Sequence, residues 1–190
     1  MTAEAEKILR DTGAILDGHF LLTSGLHSPT YVEKFKVIQY PQYTTQLCSM
    51  IARHFAQENI QVVAGPTVGG IILAFEVAKQ LGVRAIYAER EGERRVFRRS
   101  LTINPGERVL VVDDILTTGG SVKEVIDEVV RQKGEVIGVG ILVDRTKDKV
   151  ELGVPLFSCL EISIPAYKPE ECPQCRAGVP LVKPGSKPAA

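Results

Sequence analysis

The chain has 190 residues, 44% of them hydrophobic and 24% charged, a composition that suits one globular domain and excludes extended disorder. Its 23 basic and 23 acidic residues cancel, so no global field draws in nucleic acid or an anionic membrane, and any anion site must be local. The longest apolar run, Val136–Val143, is far shorter than the ~20 residues that span a bilayer.

In chain order, residues 3–12 predict a short helix, with Ala5, Ile8 and Leu9 at helical spacing and Gly13 as its stop. Residues 14–40 read as short extended pieces around Ser24-Gly25 and Ser28-Pro29. They lack the strand–helix rhythm of the later chain, so residues 1–40 are set apart as an N-terminal hood within the same domain. From Pro41 a regular alternation begins. Gln42–Gln57 predicts a helix with Leu47, Met50, Ile51 and Phe55 on one face; Gln61–Ala64 predicts a buried strand, and Gly70–Leu81 a helix. Arg84–Ala88 is the next strand, followed by a charged segment, Glu89–Ser100. Arg108–Val112 predicts a strand, Ser121–Gln132 a helix, and Val136–Val143 and Leu156–Ile162 two further strands. Short apolar runs alternating with helices imply an α/β fold: a twisted parallel sheet flanked by helices. Residues 41–165 form this core. Residues 166–190 are a proline-rich C-terminal extension expected to end in a frayed tail. In such folds ligands bind outside the carboxyl ends of the strands.

One segment there stands out, running from Val109 to Ser121 as Val-Leu-Val-Val-Asp-Asp-Ile-Leu-Thr-Thr-Gly-Gly-Ser. A strand delivers Asp113 and Asp114, and Ile115 and Leu116 lead into a turn of hydroxyls and glycines. That turn (Thr117, Thr118, Gly119, Gly120, Ser121) opens into a helix. Unencumbered amides, hydroxyl donors and a helix N-terminus suit a phosphate dianion. The carboxylates repel phosphate, but they accept hydrogen bonds from a diol or hold magnesium, directly or through its waters. Phosphate at one end and a diol at the other describe a ribose 5-phosphate. A P-loop is excluded, because Gly-x-x-x-x-Gly-Lys-Ser/Thr does not occur. No Gly-x-Gly-x-x-Gly follows a strand either.

The segment resembles the fingerprint of type I phosphoribosyltransferases, which bind 5-phosphoribosyl 1-diphosphate (PRPP) with magnesium. Gly18–Pro29 is similar to the hood of orotate phosphoribosyltransferases, Gly65–Gly70 to their diphosphate loop, and Val143-Asp144-Arg145 to the segment carrying their orotate-binding arginine. The resemblance runs over about residues 5–165. It implies transfer of the phosphoribosyl group to orotate, giving orotidine 5′-monophosphate and diphosphate in pyrimidine biosynthesis. Asp113 to Ser121 would bind PRPP, and Thr67, Val68 and Gly69 would meet its diphosphate. Arg145 would pair with the orotate carboxylate and Thr117 would touch the pyrimidine. Magnesium would be held by PRPP and waters near Asp113 and Asp114 rather than by direct protein ligands. It implies a homodimer in which the Glu89–Ser100 segment closes over diphosphate, with Arg90 and Arg94 as leading cations beside Arg95, Arg98 and Arg99.

Two departures matter. The loop carries neither lysine nor histidine, so charge stabilisation survives there but proton donation does not, the arginine pKa exceeding ~12. Thr23 stands where many relatives have a lysine, and Tyr31 and Lys34 just downstream are candidates to frame the base pocket. A purine acceptor is the rival reading, opposed by the hood and Arg145. A PRPP-sensing regulator is another, opposed by the lack of any nucleic-acid-binding feature. The N-terminus is acidic where a signal peptide would be basic and apolar, so a cytoplasmic protein with its four cysteines reduced is expected. Cys172-Pro-Gln-Cys175 is a lone Cys-x-x-Cys, whereas structural zinc takes four ligands. Zinc shared across a dimer, or a redox pair, are the alternatives it leaves. Cys48 and Cys159 read as small buried hydrophobes.

Overall fold

A computed structural model describes residues 2–22, 24–146 and 150–184. Thr2–Asp11 forms α1, and Ile15–Leu21 (β1) pairs with His27–Val32 (β2) in a separate antiparallel hairpin. Then come α2 (Phe35–Ile38), α3 (Pro41–His54), β3 (Val62–Pro66), α4 (Gly69–Leu81), β4 (Arg84–Glu91) and β5 (Arg94–Phe97). The rest comprises β6 (Arg108–Leu116), α5 (Gly120–Arg131), β7 (Glu135–Asp144), β8 (Leu156–Glu161), a 3-10 turn at Pro169–Glu171 and α6 (Pro173–Arg176).

The six-stranded sheet has the order β5-β4-β3-β6-β7-β8. All its neighbours are parallel except β5, which runs antiparallel to β4. The charged segment expected as a loop is therefore largely a hairpin with Glu91, Gly92 and Glu93 at its tip. Alternation along each strand feeds two cores. Val63, Leu110, Val112 and Leu142 pack on the α1, α3 and α4 side, while Ala64, Val109, Val111 and Ile141 pack on the α5 side. Helix α5 presents Val122, Val125 and Val129 to the second core, as its spacing predicts.

Topology sets the site. The chain leaves β3 through α4 toward β4 on one side, and leaves β6 through α5 toward β7 on the other. The sheet order thus reverses between β3 and β6, and their exits flank a crevice at the carboxyl edge. Strand β6 runs on to Leu116 rather than stopping at Val112, because its pairing with β7 continues through Ile115–Val143 and Leu116–Asp144. The C-terminal extension is docked: Tyr167 bridges to His27 and Val182 to Phe20. Of the frayed tail expected at residues 183–190, residues 185–190 lie outside the described residues.

Leu110 is fully buried in the central strand. Leu110→Ala is expected to lower the unfolding free energy by about 2–5 kcal/mol, measured by urea denaturation; a loss below about 1 kcal/mol would mean that this side chain does not anchor the sheet.

Candidate active site

The crevice is a cavity of about 560 Å³, walled by the end of the hood, the β3 exit, the β6 exit and the segment after β7. Asp113 and Asp114 sit in its floor, and both are buried. They are consecutive strand residues, so their side chains leave opposite faces of the sheet. Asp113 turns toward α5, where Ser121 Oγ donates to its Oδ2 at 2.8 Å and the Asp114 amide to its Oδ1 at 2.8 Å. Asp114 turns toward the hood, where Lys34 Nζ donates to its Oδ1 at 2.9 Å.

The other oxygen, Asp114 Oδ2, is buried without a hydrogen-bond partner among the described residues. It lies over Gly69, where a Cβ would stand 1.8 Å from it. Any larger residue at 69 would displace the carboxylate. Burial first, and the neighbouring Asp114 charge second, push the Asp113 carboxyl up to about 6 against the pull of Ser121, the Asp114 amide and Lys34. A floor of oxygen donors with one buried oxygen unpaired fits a hard divalent cation approached through waters or ligand oxygens.

Two helix N-termini converge here. Gly119 takes φ +80° to turn the chain into α5, so the amides of its first turn have no acceptor within the helix and face the crevice end. Thr117, Thr118 and Gly120 are exposed around it. On the other side Thr67, Val68 and Gly69 form the wall where α4 begins, with the Thr67 amide donating to Ala88 O at 3.0 Å. Of the segment singled out from sequence, Asp113, Asp114, Ile115, Thr117 and Ser121 line the cavity, whereas Leu116 is buried in the core.

Arg145 also lines the cavity, held there by its amide donating to Leu116 O at 2.9 Å. Its Nε is buried with no partner among the described residues. Burial pushes the guanidinium below its ordinary value, with Tyr31 acting in the opposite sense; it stays charged at neutral pH. A half-buried fork with no carboxylate partner among the described residues suits a planar anion.

The hairpin arginines separate. Arg90 is turned away, both its contacts at 2.9 Å being to the Glu124 carboxylate on α5, and Arg94 is exposed. Arg95 instead lines the cavity and donates through Nη1 to Thr67 Oγ1 at 3.1 Å and Thr67 O at 3.3 Å. Sequence reasoning named Arg95 in this segment behind Arg90 and Arg94, and it did not single out Glu124, whose carboxylate is 2.9 Å from Arg90 Nη2 and 3.4 Å from Arg95 Nε. Tyr31 and Lys34 line the cavity, whereas Thr23 lies outside the described residues.

Residues 41–172 match the family model of the phosphoribosyl transferase domain. An orotate phosphoribosyltransferase of Desulforamulus reducens is 51% identical over 180 residues, covering 95% of this chain and 94% of the relative. That of Caldanaerobacter subterraneus subsp. tengcongensis is 52% identical over 187 residues, covering 97% and 98%. Among solved structures, an orotate phosphoribosyltransferase from Aeropyrum pernix superposes with a TM-score of 0.70 at 26% identity, covering 82% of this chain and 92% of that one.

The raised Asp113 carboxyl binds its proton more tightly in the fold than its ordinary value of 3.8 allows. The stability this proton confers is full below that value and is lost as pH rises through about 6. Asp113→Asn is therefore expected to melt above the native protein at pH 8, with the gap closing toward pH 4, in paired thermal scans without ligand. A gap that does not change with pH would contradict this.

Proposed function

The chain belongs to the phosphoribosyl transferase domain family, and from that premise we propose how its residues carry out the reaction. It transfers the 5-phosphoribosyl group of PRPP to orotate, giving orotidine 5′-monophosphate and diphosphate in pyrimidine biosynthesis. The observation that supports the orotate reading best is Arg145. It offers a half-buried guanidinium, its buried Nε without a hydrogen-bond partner among the described residues, in the same cavity as the acid pair and the phosphate-type turn, and orotate brings a carboxylate to pair with it where a purine brings none.

The parts then divide the substrates between them. The amides of Thr118 to Ser121 hold the 5-phosphate, and Asp113 and Asp114 accept from the ribose hydroxyls. Thr67, Val68 and Gly69 meet the diphosphate at the α4 end, with Arg95 and Lys34 as the cations nearest that wall. Thr117 touches the pyrimidine. The ring nitrogen attacks the anomeric carbon as the bond to diphosphate breaks, through an oxocarbenium-like transition state. No covalent nucleophile from the protein is needed, since catalysis rests on positioning and on stabilising the charge that grows on the leaving group. Asp113 and Asp114 would hold magnesium through its waters beside PRPP, where it would supply further neutralisation of that charge.

A homodimer is part of the proposal. Beside the cavity Val68 is 66% exposed and Phe75 65% exposed, with Ile72 and Tyr40 alongside, an apolar face of the sort that protein interfaces cover. Arg94, exposed next to the hairpin tip, is the cation offered to a partner's site, and Arg90 reaches the same region only by releasing Glu124. We assign the reaction to the cytoplasm; among the described residues no helix is long and apolar enough to cross a membrane.

Protein mixed with PRPP and magnesium is expected to consume orotate and release diphosphate, followed by the loss of orotate absorbance. Turnover with hypoxanthine but not orotate would overturn the assignment. In the same assay Arg145→Ala is expected to raise the orotate KM at least ~10-fold and to leave the PRPP KM within about twofold; equal rises would remove Arg145 from the orotate subsite. Arg95→Ala should lower kcat more than Arg90→Ala, and the reverse order would return the leaving-group role to Arg90.

A further inference from the structure

The lone Cys-x-x-Cys of the extension does not stand alone in space. Cys172 Sγ lies 3.4 Å from His19 Nε2, and Cys175 Sγ lies 3.7 Å from it. Cys175 Sγ is also 3.2 Å from His27 Nδ1, and the two ring nitrogens are 3.0 Å apart. All four ligand atoms fall within 4.8 Å of one another.

We propose that His19, His27, Cys172 and Cys175 form a tetrahedral Cys2His2 site for one structural zinc ion that fastens the C-terminal extension to the hood hairpin. The argument begins with the edges of the coordination figure. Zinc bonds of about 2.3 Å to sulfur and about 2.05 Å to nitrogen, at tetrahedral angles, require S–N edges of about 3.6 Å and an N–N edge of about 3.3 Å. The four observed separations each lie within a few tenths of an ångström of these. Hydrogen bonding alone accounts for the cluster poorly. His19 Nδ1 is 2.8 Å from Val179 O, a carbonyl that can only accept. That ring nitrogen therefore carries the proton, and Nε2 is left with one lone pair. Three groups crowd that single lone pair. A central cation would use it together with the lone pairs of the other three.

The Val179 contact also supplies the outer-shell support that metal-bound imidazoles have, fixing the tautomer and aiming the ring. His19, His27 and Cys172 are buried and Cys175 is exposed, so the ion would sit at the edge of the fold with a way in. Four protein ligands leave no open position, which makes the role structural rather than catalytic. Two thiolates with two imidazoles select zinc over magnesium or calcium. All four ligands come from one chain, so the site requires no partner subunit, unlike the shared zinc that the sequence alone left open. It is independent of the reaction proposed above.

The test uses full-length protein purified under reducing conditions without chelator. Metal analysis is expected to find about one zinc per chain. Cobalt exchange should give the strong visible bands of a tetrahedral ion together with thiolate-to-cobalt charge transfer. The double variant Cys172→Ser, Cys175→Ser should lose the metal, and chelation of the native protein should lower its melting temperature. Zinc below about 0.1 per chain after growth in zinc-supplemented medium and reconstitution would overturn the proposal. So would a Cys172–Cys175 disulfide persisting in the reduced protein, or an octahedral cobalt spectrum without thiolate bands. If the double variant fails to fold, the cobalt spectrum of the native protein decides the matter.

Discussion

Two carboxylates held side by side in a buried strand end are the constraint around which this molecule is arranged. Left alone, adjacent acids in a dry site repel each other and take up a proton. Here each is held by a different part of the chain: Asp113 by Ser121 and an amide, Asp114 by Lys34. The pair therefore ties helix α5, the central sheet and the end of the hood into one figure. The bare Gly69 backbone leaves the space that the second carboxylate occupies. Hydrogen-bond donors or positive charge brought to the two acids would offset the cost of burying them.

The sheet order supplies the complementary charge. Because α4 and α5 leave adjacent strands on opposite sides, both present N-terminal turns to one crevice, and each offers partial positive charge where the acids would repel an anion. Anionic groups are favoured at the helix ends and hydroxyl donors at the acids. Arg145 and Arg95 then fix the remaining directions. The polarity of the cavity is thus a consequence of topology, with few side chains needed to refine it.

That division explains what sequence reading recovered. The alternation of buried strands with amphipathic helices is local, and so is the Val109–Ser121 segment, where strand, acids and turn are contiguous. The ends of elements shifted by a few residues, most visibly in β6, because pairing with β7 carries the strand through acids that look like its terminus. Arg95 could not be separated from Arg90 and Arg94 by composition. Hairpin pairing sets Arg95 directly opposite Arg90, on the same face and with both within reach of Glu124, and what separates them is a contact only the fold supplies, Arg95 donating to Thr67. The His-Cys cluster was illegible for a simpler reason. His19 lies 153 residues before Cys172, and no spacing rule links a hairpin histidine to a distant Cys-x-x-Cys.

The hood shows why such a distant link has physical value. A two-stranded hairpin outside the main sheet is marginal by itself, yet β2 and the chain leaving it carry Tyr31 and Lys34 into the cavity wall. The Lys34–Asp114 contact can be no better placed than the hairpin behind it. The extension strengthens that hairpin along its length, through mutual amide bonds of 2.8 Å between His27 and Tyr167 and through bonds of 2.8 Å from Val182 to His19 and from Leu21 to Val182. Gln174 adds a side-chain bond to Gly18 O. A cross-link at His19 and His27 lies in the middle of this seam, where it resists separation of extension and hairpin at both ends. Rigidity gained there passes along β2 to Tyr31 and Lys34, so a group outside the cavity helps to fix where its wall stands.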